Sequence, residues 1–531
     1  MSADFLRPVT LLPNPALLGR GIQNCLRVIA FMFGIGWIAG SLVAYAHIGD
    51  QTVFFEGQAG AYPVRIVVRP PGVIPGLAEI SVRVATNGVE RVTVLPIRWS
   101  TGRQGAPPPD EAKPVRGETN LYSGELWFMR DGAQSVEVAI TGPAGEGKVI
   151  VPVNAVATRV LGMPTVLGWL LGLLGLILVA FAASIVGAAV RESILPAGLA
   201  ASARRRAWAR ATIGIALVLI VGVLWLGQRW WSAEARSYRN NRLFRPIDST
   251  AGVRFENGQR ILTLECAFYP RGDNGPLVPE HGKLMHLFLI REPGLDVFAH
   301  LHPQKRDWKT FEALLPELPA GSYRIYADVT YESGFTDTLT AITRLPAPEN
   351  PAPNATTPSG DSDDAWTVGK SLPPIPSDLL RQTNTVAGYT LELSVAAPLV
   401  ENRDTDLRLI VRDALSQTAP LESFMGMNGH LILRRDDGTV FTHLHPSGSF
   451  SMAAQQLFTL RLEGKAPMKI ASPDREPICQ LPAMTASAAT RDALAFPYAF
   501  PRMGNYRLWA QVKVGGRLIT GVFDVRVAPP H

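Results

Sequence analysis

The chain is poor in the residues that most often carry covalent or redox chemistry. It has three cysteines in 531 residues: Cys25, Cys266 and Cys479. Three cannot build the disulfide framework of a small secreted scaffold, so packing or a bound metal must hold the folded parts together. Each is read as a small buried apolar side chain. Charged residues are also scarce, at 18% of the chain. The sequence has no GxSxG elbow, no HExxH pair, no Walker loop and no GxGxxG turn after a strand, and no glutamate is placed as a general base. The chain is therefore expected not to be an enzyme.

What the chain does have is apolar sequence, 47% of it, gathered unevenly. Three blocks carry no charge: Val28–Ala46, Leu161–Val190 and Ala211–Gly227. A hydrocarbon core of about 30 Å needs roughly 20 helical residues, so these blocks predict membrane helices over 28–47, 161–190 and 211–227. The net charge of +6 comes largely from arginines beside them: Arg7, Arg20 and Arg27 before the first, and Arg191, Arg204, Arg205, Arg206 and Arg210 between the second and third. By the positive-inside rule, residues 1–27 and the basic loop 191–210 are cytoplasmic, while 48–160 and everything after 228 lie outside. This describes a multi-pass protein of a bacterial inner membrane with periplasmic domains. Membrane lipid is the expected partner, with other periplasmic or membrane proteins beside it. No basic stripe interleaved with aromatics exists, so nucleic acid is not an expected partner.

The remaining sequence reads as strands. Short β-rich runs separated by Pro/Gly clusters such as Pro70-Pro71-Gly72 fill residues 48–160, which contain no histidine and no cysteine. Residues 240–345 and 385–528 are β-rich as well. The stretch 346–384 is rich in Pro, Ser and Asp and predicts a linker. The expected fold class is mainly β: tandem immunoglobulin-like or cupredoxin-like β-sandwiches anchored by three transmembrane α-helices. The last two units repeat each other. HLFLIREPGLDVFAHLHP from His286 matches HLILRRDDGTVFTHLHP from His430, and both copies close on similar strands, from Leu318 and from Phe500.

Six of the nine histidines occupy equivalent positions in these copies: His286, His300 and His302, and His430, His443 and His445. Turn chemistry sets their geometry. Asp437-Gly438 signals a two-residue hairpin that pairs Arg435 with Val440 and so places His430 opposite His445. A three-residue loop, Pro293-Gly294-Leu295, pairs Glu292 with Asp296 and places His286 opposite His302. Opposed Cβ atoms sit about 5 Å apart and diagonal ones about 7–8 Å. Each hairpin is thus expected to gather three imidazoles that can share an ion at about 2.0–2.1 Å from each nitrogen. Met425 and Met427 precede His430, Met285 precedes His286 and Met452 follows the second hairpin. Thioether with imidazole favours a copper ion, Cu(I) above all, over magnesium or calcium. The expected ligands are the six histidines with Met425 and Met427. A strand end whose histidines only hydrogen-bond backbone groups fits the same pattern, and the methionines taken alone fit core filling.

Gly426-Met427-Asn428-Gly429-His430 followed by Phe441-Thr442-His443-Leu444-His445-Pro446 resembles the YtkA-like and FixH-like families. These are small, membrane-tethered periplasmic immunoglobulin-like domains associated with copper handling and oxidase assembly. The resemblance covers the last two units and implies His430, His443 and His445 as first candidate ligands, with the earlier copy as a second site. The tandem copies and the extra helices depart from the pattern, as does the absence of an outer N-terminal histidine. The function so implied is a membrane-anchored periplasmic metal-binding protein acting as chaperone, buffer or sensor. The alternative is a metal-free interaction or assembly scaffold of a membrane complex.

Overall fold

Alternation of apolar and polar residues dictates most of the structure. A computed structural model describes residues 52–196, 198–245, 247, 249–267, 274–348, 360–376, 379–465, 468–470, 478–481 and 493–530. The predicted helix 28–47 and Cys25 lie outside the described residues, as does the side chain of Cys479.

In the first β unit, Gly76–Val84 alternates strictly, burying Ala78, Ile80 and Val82, and Tyr62–Arg69 buries Val64, Ile66 and Val68 on the same core face, with Val67 buried on the other. They pair antiparallel with Val53–Ala59 and Leu121–Phe128. A second sheet of Arg91–Arg98, Gly132–Gly142 and Gly145–Ala155 supplies Val94, Val138 and Val151 to the same core.

Two helices follow, Thr165–Glu192 and Ala203–Asn241, both long and apolar enough to cross a membrane. They agree with the second and third predicted spans, but the third is longer at both ends than 211–227. Ser202 caps it, its hydroxyl accepting from Arg205 N at 3.4 Å. Part of the predicted loop 191–210 is therefore helical, since arginine and alanine are good helix formers once a cap starts the turn. The helix also runs on through Trp230 and Trp231 to Asn241. The two helices approach where Gly187 leaves room for Ile213.

The two repeats share one plan. In the second unit, Gly321–Tyr331, His286–Glu292 and Val297–Leu301 form a sheet that packs on Gln259–Cys266 and its neighbours. In the third, Gly504–Val514, His430–Arg435 and Phe441–Leu444 form the corresponding sheet. The hairpin registers follow the turns as read from sequence: Phe288 faces His300, and Ile432 faces His443. Cys266 fills the core of the second unit, and burial pushes its thiol up to about 12. The predicted linker is partly structural, because Ala365–Val368 adds an edge strand to Val297–Leu301. Its short apolar run, Ala365-Trp366, gives an otherwise open edge a partner.

The two repeat sheets lie face to face. Odd residues such as Leu287, Leu289, Leu431 and Leu433 enter each unit's own core. Even residues Phe288, Ile290, Phe298 and Tyr326 meet Ile432, Phe441 and Trp509 of the other copy. Phe298 stacks on Trp509 at 4.8 Å, and Tyr326 stacks on Phe441 at 4.0 Å. Phe298 corresponds to Phe441 and Tyr326 to Trp509, so the two stacks are mates across a pseudo-two-fold axis. Each aromatic pair is worth about 0.5–1.5 kcal/mol beyond its buried area. Buried Arg434 closes the interface, pairing with Glu292 and donating to the Tyr326 hydroxyl at 3.0 Å.

The first unit docks on this pair. Arg65 binds Asp406 at 2.6 and 3.0 Å, and Asn154 donates to the Thr336 carbonyl at 2.7 Å. Phe55 packs on Phe450 at 5.0 Å.

Candidate metal centre

Face-to-face packing brings both histidine hairpins to one place. His286 and His430 start strands whose even residues face the interface, so their rings point toward the other repeat. Seven of the nine histidines meet there: the six predicted ones and His281. In the second unit the ring centroids of His286, His300 and His302 are 5.4, 5.2 and 4.6 Å apart. In the third, the His430, His443 and His445 rings are 5.2, 5.1 and 4.6 Å apart. These near-equal triangles express the same hairpin register twice. The triangles also touch: His443 is 5.5 Å from His286 and 5.7 Å from His300. The sequence reading of two separate triplets thus becomes one cluster.

Two groups of three offer nitrogens within 4.8 Å of one another: His286, His300 and His302, and His281, His430 and His445. His281 was missed because it lies outside both hairpins, and the repeat has Met425 at the equivalent place. Its signal was nonetheless present. His281-Gly282 and Met425-Gly426 are matching turns, with His281 at φ 51° and Met425 at φ 49°, each followed by a glycine of positive φ. The bridges Glu280 to Lys283 and Phe424 to Met427 close the two turns alike.

Each member of the first group is held from behind by an acceptor. His286 Nε2 lies 3.1 Å from the Glu280 carbonyl, His300 Nδ1 lies 2.8 Å from Gln511 Oε1, and His302 Nδ1 lies 2.9 Å from Asp364 Oδ1. A carbonyl or carboxylate oxygen only accepts, so these ring nitrogens donate. In neutral imidazoles, His286 Nδ1, His300 Nε2 and His302 Nε2 then carry lone pairs toward one another. The first two are 3.1 Å apart, and His302 Nε2 has no hydrogen-bond partner. Two lone pairs at that distance repel unless a cation or proton lies between them. An outer acceptor on each imidazole, with the inner nitrogen bare, is the pattern of metal-ligating histidine.

The second group is more open in its hydrogen bonding. His281 Nε2 and both nitrogens of His430 and of His445 are buried without a hydrogen-bond partner, as is Nε2 of the neighbouring His443. Two carboxylates flank it: Glu280 Oε1 is 3.4 Å from His281 Nε2, and Asp328 Oδ2 is 3.6 Å from His443 Nδ1. Glu280 also receives the Met452 and Ala453 amides, at 3.0 and 3.3 Å, at the start of helix Met452–Leu462.

Burial, then the neighbouring imidazoles, hold His286, His300, His430 and His445 well below the ordinary imidazole value. Burial lowers His281 as well, with Glu280 opposing it. These rings are therefore neutral at pH 7, the state that ligates.

The methionines are placed differently. Met285 is core filler of the second unit. Met425 and Met427 are buried, and Met427 lines a cavity with Gly426, Pro446 and Met452 that contains no histidine. A separate cavity of about 190 Å³ reaches His286, His443, His445 and Asp328 from between the first unit and the repeats.

A family model described as a domain of unknown function (DUF8832) matches residues 384–529, which is the third unit. No curated protein matches the chain. Many solved structures align with it, three of which follow. A tetra-tandem repeat from the extending region of a large adhesion protein is 9% identical over 86% of this chain and 71% of its own, with a TM-score of 0.14. Latent PorU from Porphyromonas gingivalis is 10% identical over 90% and 34%, at 0.13. Alpha-2-macroglobulin from Escherichia coli is 8% identical over 92% and 24%, at 0.16. At these values the likenesses carry no argument about this chain.

Proposed function

We propose that this chain is a membrane-anchored periplasmic metal-binding protein that takes up copper and serves as a chaperone, buffer or sensor rather than an enzyme. In this reading three helices, the first over 28–47, anchor three immunoglobulin-like sandwiches in a bacterial inner membrane, with the basic segments cytoplasmic. The observation that carries it is the burial of seven imidazoles in one cluster with most inward nitrogens unpartnered. A buried polar atom left unpaired costs about 1–3 kcal/mol, and an ion satisfies several at once. Imidazole sites bind Cu(II) most tightly among first-row divalent ions, so copper outranks zinc on this donor set.

The test is copper binding by the full chain in detergent after metal stripping. Copper that co-elutes with the parent but not with a His302→Ala, His430→Ala double variant supports the reading. A parent that retains no copper overturns it and leaves the face-to-face repeats as a metal-free assembly scaffold.

A further inference from the structure

The proposal that follows rests on the metal-binding reading and deepens it. The pseudo-two-fold axis relates every element of one hairpin to the other: His286 to His430, His300 to His443, His302 to His445, and the turn residue His281 to Met425. The 281 turn holds His286 of its own repeat through the Glu280 carbonyl at 3.1 Å, but the His281 ring joins the other triplet. The His281 ring is 5.8 Å from His430 and 4.8 Å from His445, both of the other repeat, and its inner nitrogens group with theirs. The same operation carries His281 onto Met425, the turn residue that stands to the first triplet as His281 stands to His430 and His445. Met425 is buried, and its backbone torsion matches that of His281.

We propose that the cluster is a centre for two unlike metal ions, each site completed by the turn of the opposite repeat. One site is His286, His300 and His302 with Met425. The other is His281, His430 and His445, whose nitrogens lie within 4.8 Å of one another, with the His443 ring beside them. Three imidazoles and a thioether suit a soft, singly charged ion, Cu(I), whereas four imidazoles suit a divalent ion such as Zn(II) or Cu(II).

Carboxylates stand beside both sites, as buried cations require. Glu280 and Asp328 flank the four-histidine site. Asp361 and Asp364 stand beside His302 of the other, where the residue equivalent to Asp328 is the neutral Gln511, which His300 contacts at 2.8 Å. His286 pairs across the sheet with Asp328, and His430 in the same way with Gln511. The two sites thus differ in one donor, Met425 against His281, and that donor favours the monovalent ion on the first side.

The test uses the full chain in detergent, loaded with Cu(I) under reductant and separately with Zn(II). One tightly held Cu(I) and one Zn(II) per chain are expected, neither displacing the other, with a sulfur scatterer in the copper X-ray absorption spectrum. Met425→Leu should remove that scatterer and weaken Cu(I) by at least tenfold, while Zn(II) binding stays within twofold of the parent. His281→Ala should weaken Zn(II) and spare the sulfur-ligated copper. A parent in which Cu(I) and Zn(II) displace each other from one site overturns the two-site centre while leaving the metal-binding reading intact. So does a sulfur scatterer that survives Met425→Leu, or a Met425→Leu variant that holds Cu(I) as tightly as the parent. A parent that binds neither ion overturns both.

Discussion

Acid should dismantle the metal-free repeat pair well before it titrates carboxylates. His286, His300, His430 and His445 are buried and neutral, each held well below its ordinary value by burial and by the other imidazoles. In the unfolded chain each returns to about 6.5. The folded values are depressed, so below pH 6.5 the unfolded state binds more protons and stability falls with pH. The loss continues down to the folded values. One such histidine favours unfolding by about 0.2 kcal/mol at pH 7 and about 1.4 kcal/mol at pH 5.5. Four of them remove roughly 5 kcal/mol between those pH values, against a total domain stability of about 5–15 kcal/mol. The assay is urea unfolding of the metal-stripped full chain in detergent, followed by the fluorescence of Trp509 and its neighbours. The midpoint should fall steeply between pH 7 and 5.5, and a bound ion should shift the fall to lower pH. A midpoint unchanged over that interval would refute the claim that these imidazoles are buried and neutral together.

Three further outcomes are expected. Asp364→Asn removes the charged acceptor behind His302, and copper affinity of the stripped and reloaded chain should drop about 10–100-fold by competition titration. Glu280→Gln keeps the shape but takes a charge from the start of helix Met452–Leu462, where it receives two amides. Thermal unfolding should register a loss of about 1–2 kcal/mol. Trp509→Ala opens a cavity beside Phe298 and should cost about 3–5 kcal/mol in the same measurement, while Trp127→Ala, on an exposed side chain, should cost less than about 1 kcal/mol.

Short-range chemistry settled a great deal here. Asp437-Gly438 and the Pro293-Gly294-Leu295 loop set both hairpin registers, because turn length and a period of two leave one pairing for each. The same alternation marked the strands of the first unit, and uninterrupted apolar runs marked most of the helix Thr165–Glu192 and the middle of the helix Ala203–Asn241. The hairpin register alone gathers His286, His300 and His302 at one end of the hairpin.

Long-range packing settled the remainder. Nothing local to Phe298 or Trp509 says that they stack across 211 residues, and that contact is what merges the two triplets. His281 enters the cluster from a turn of the opposite repeat, and Asp364 reaches His302 from a stretch whose composition reads as linker. Neither pattern has a sequence period, since both depend on which face of one sheet meets which face of another. Local rules fix where a side chain points on its own strand; only the docking of whole sheets fixes what it points at.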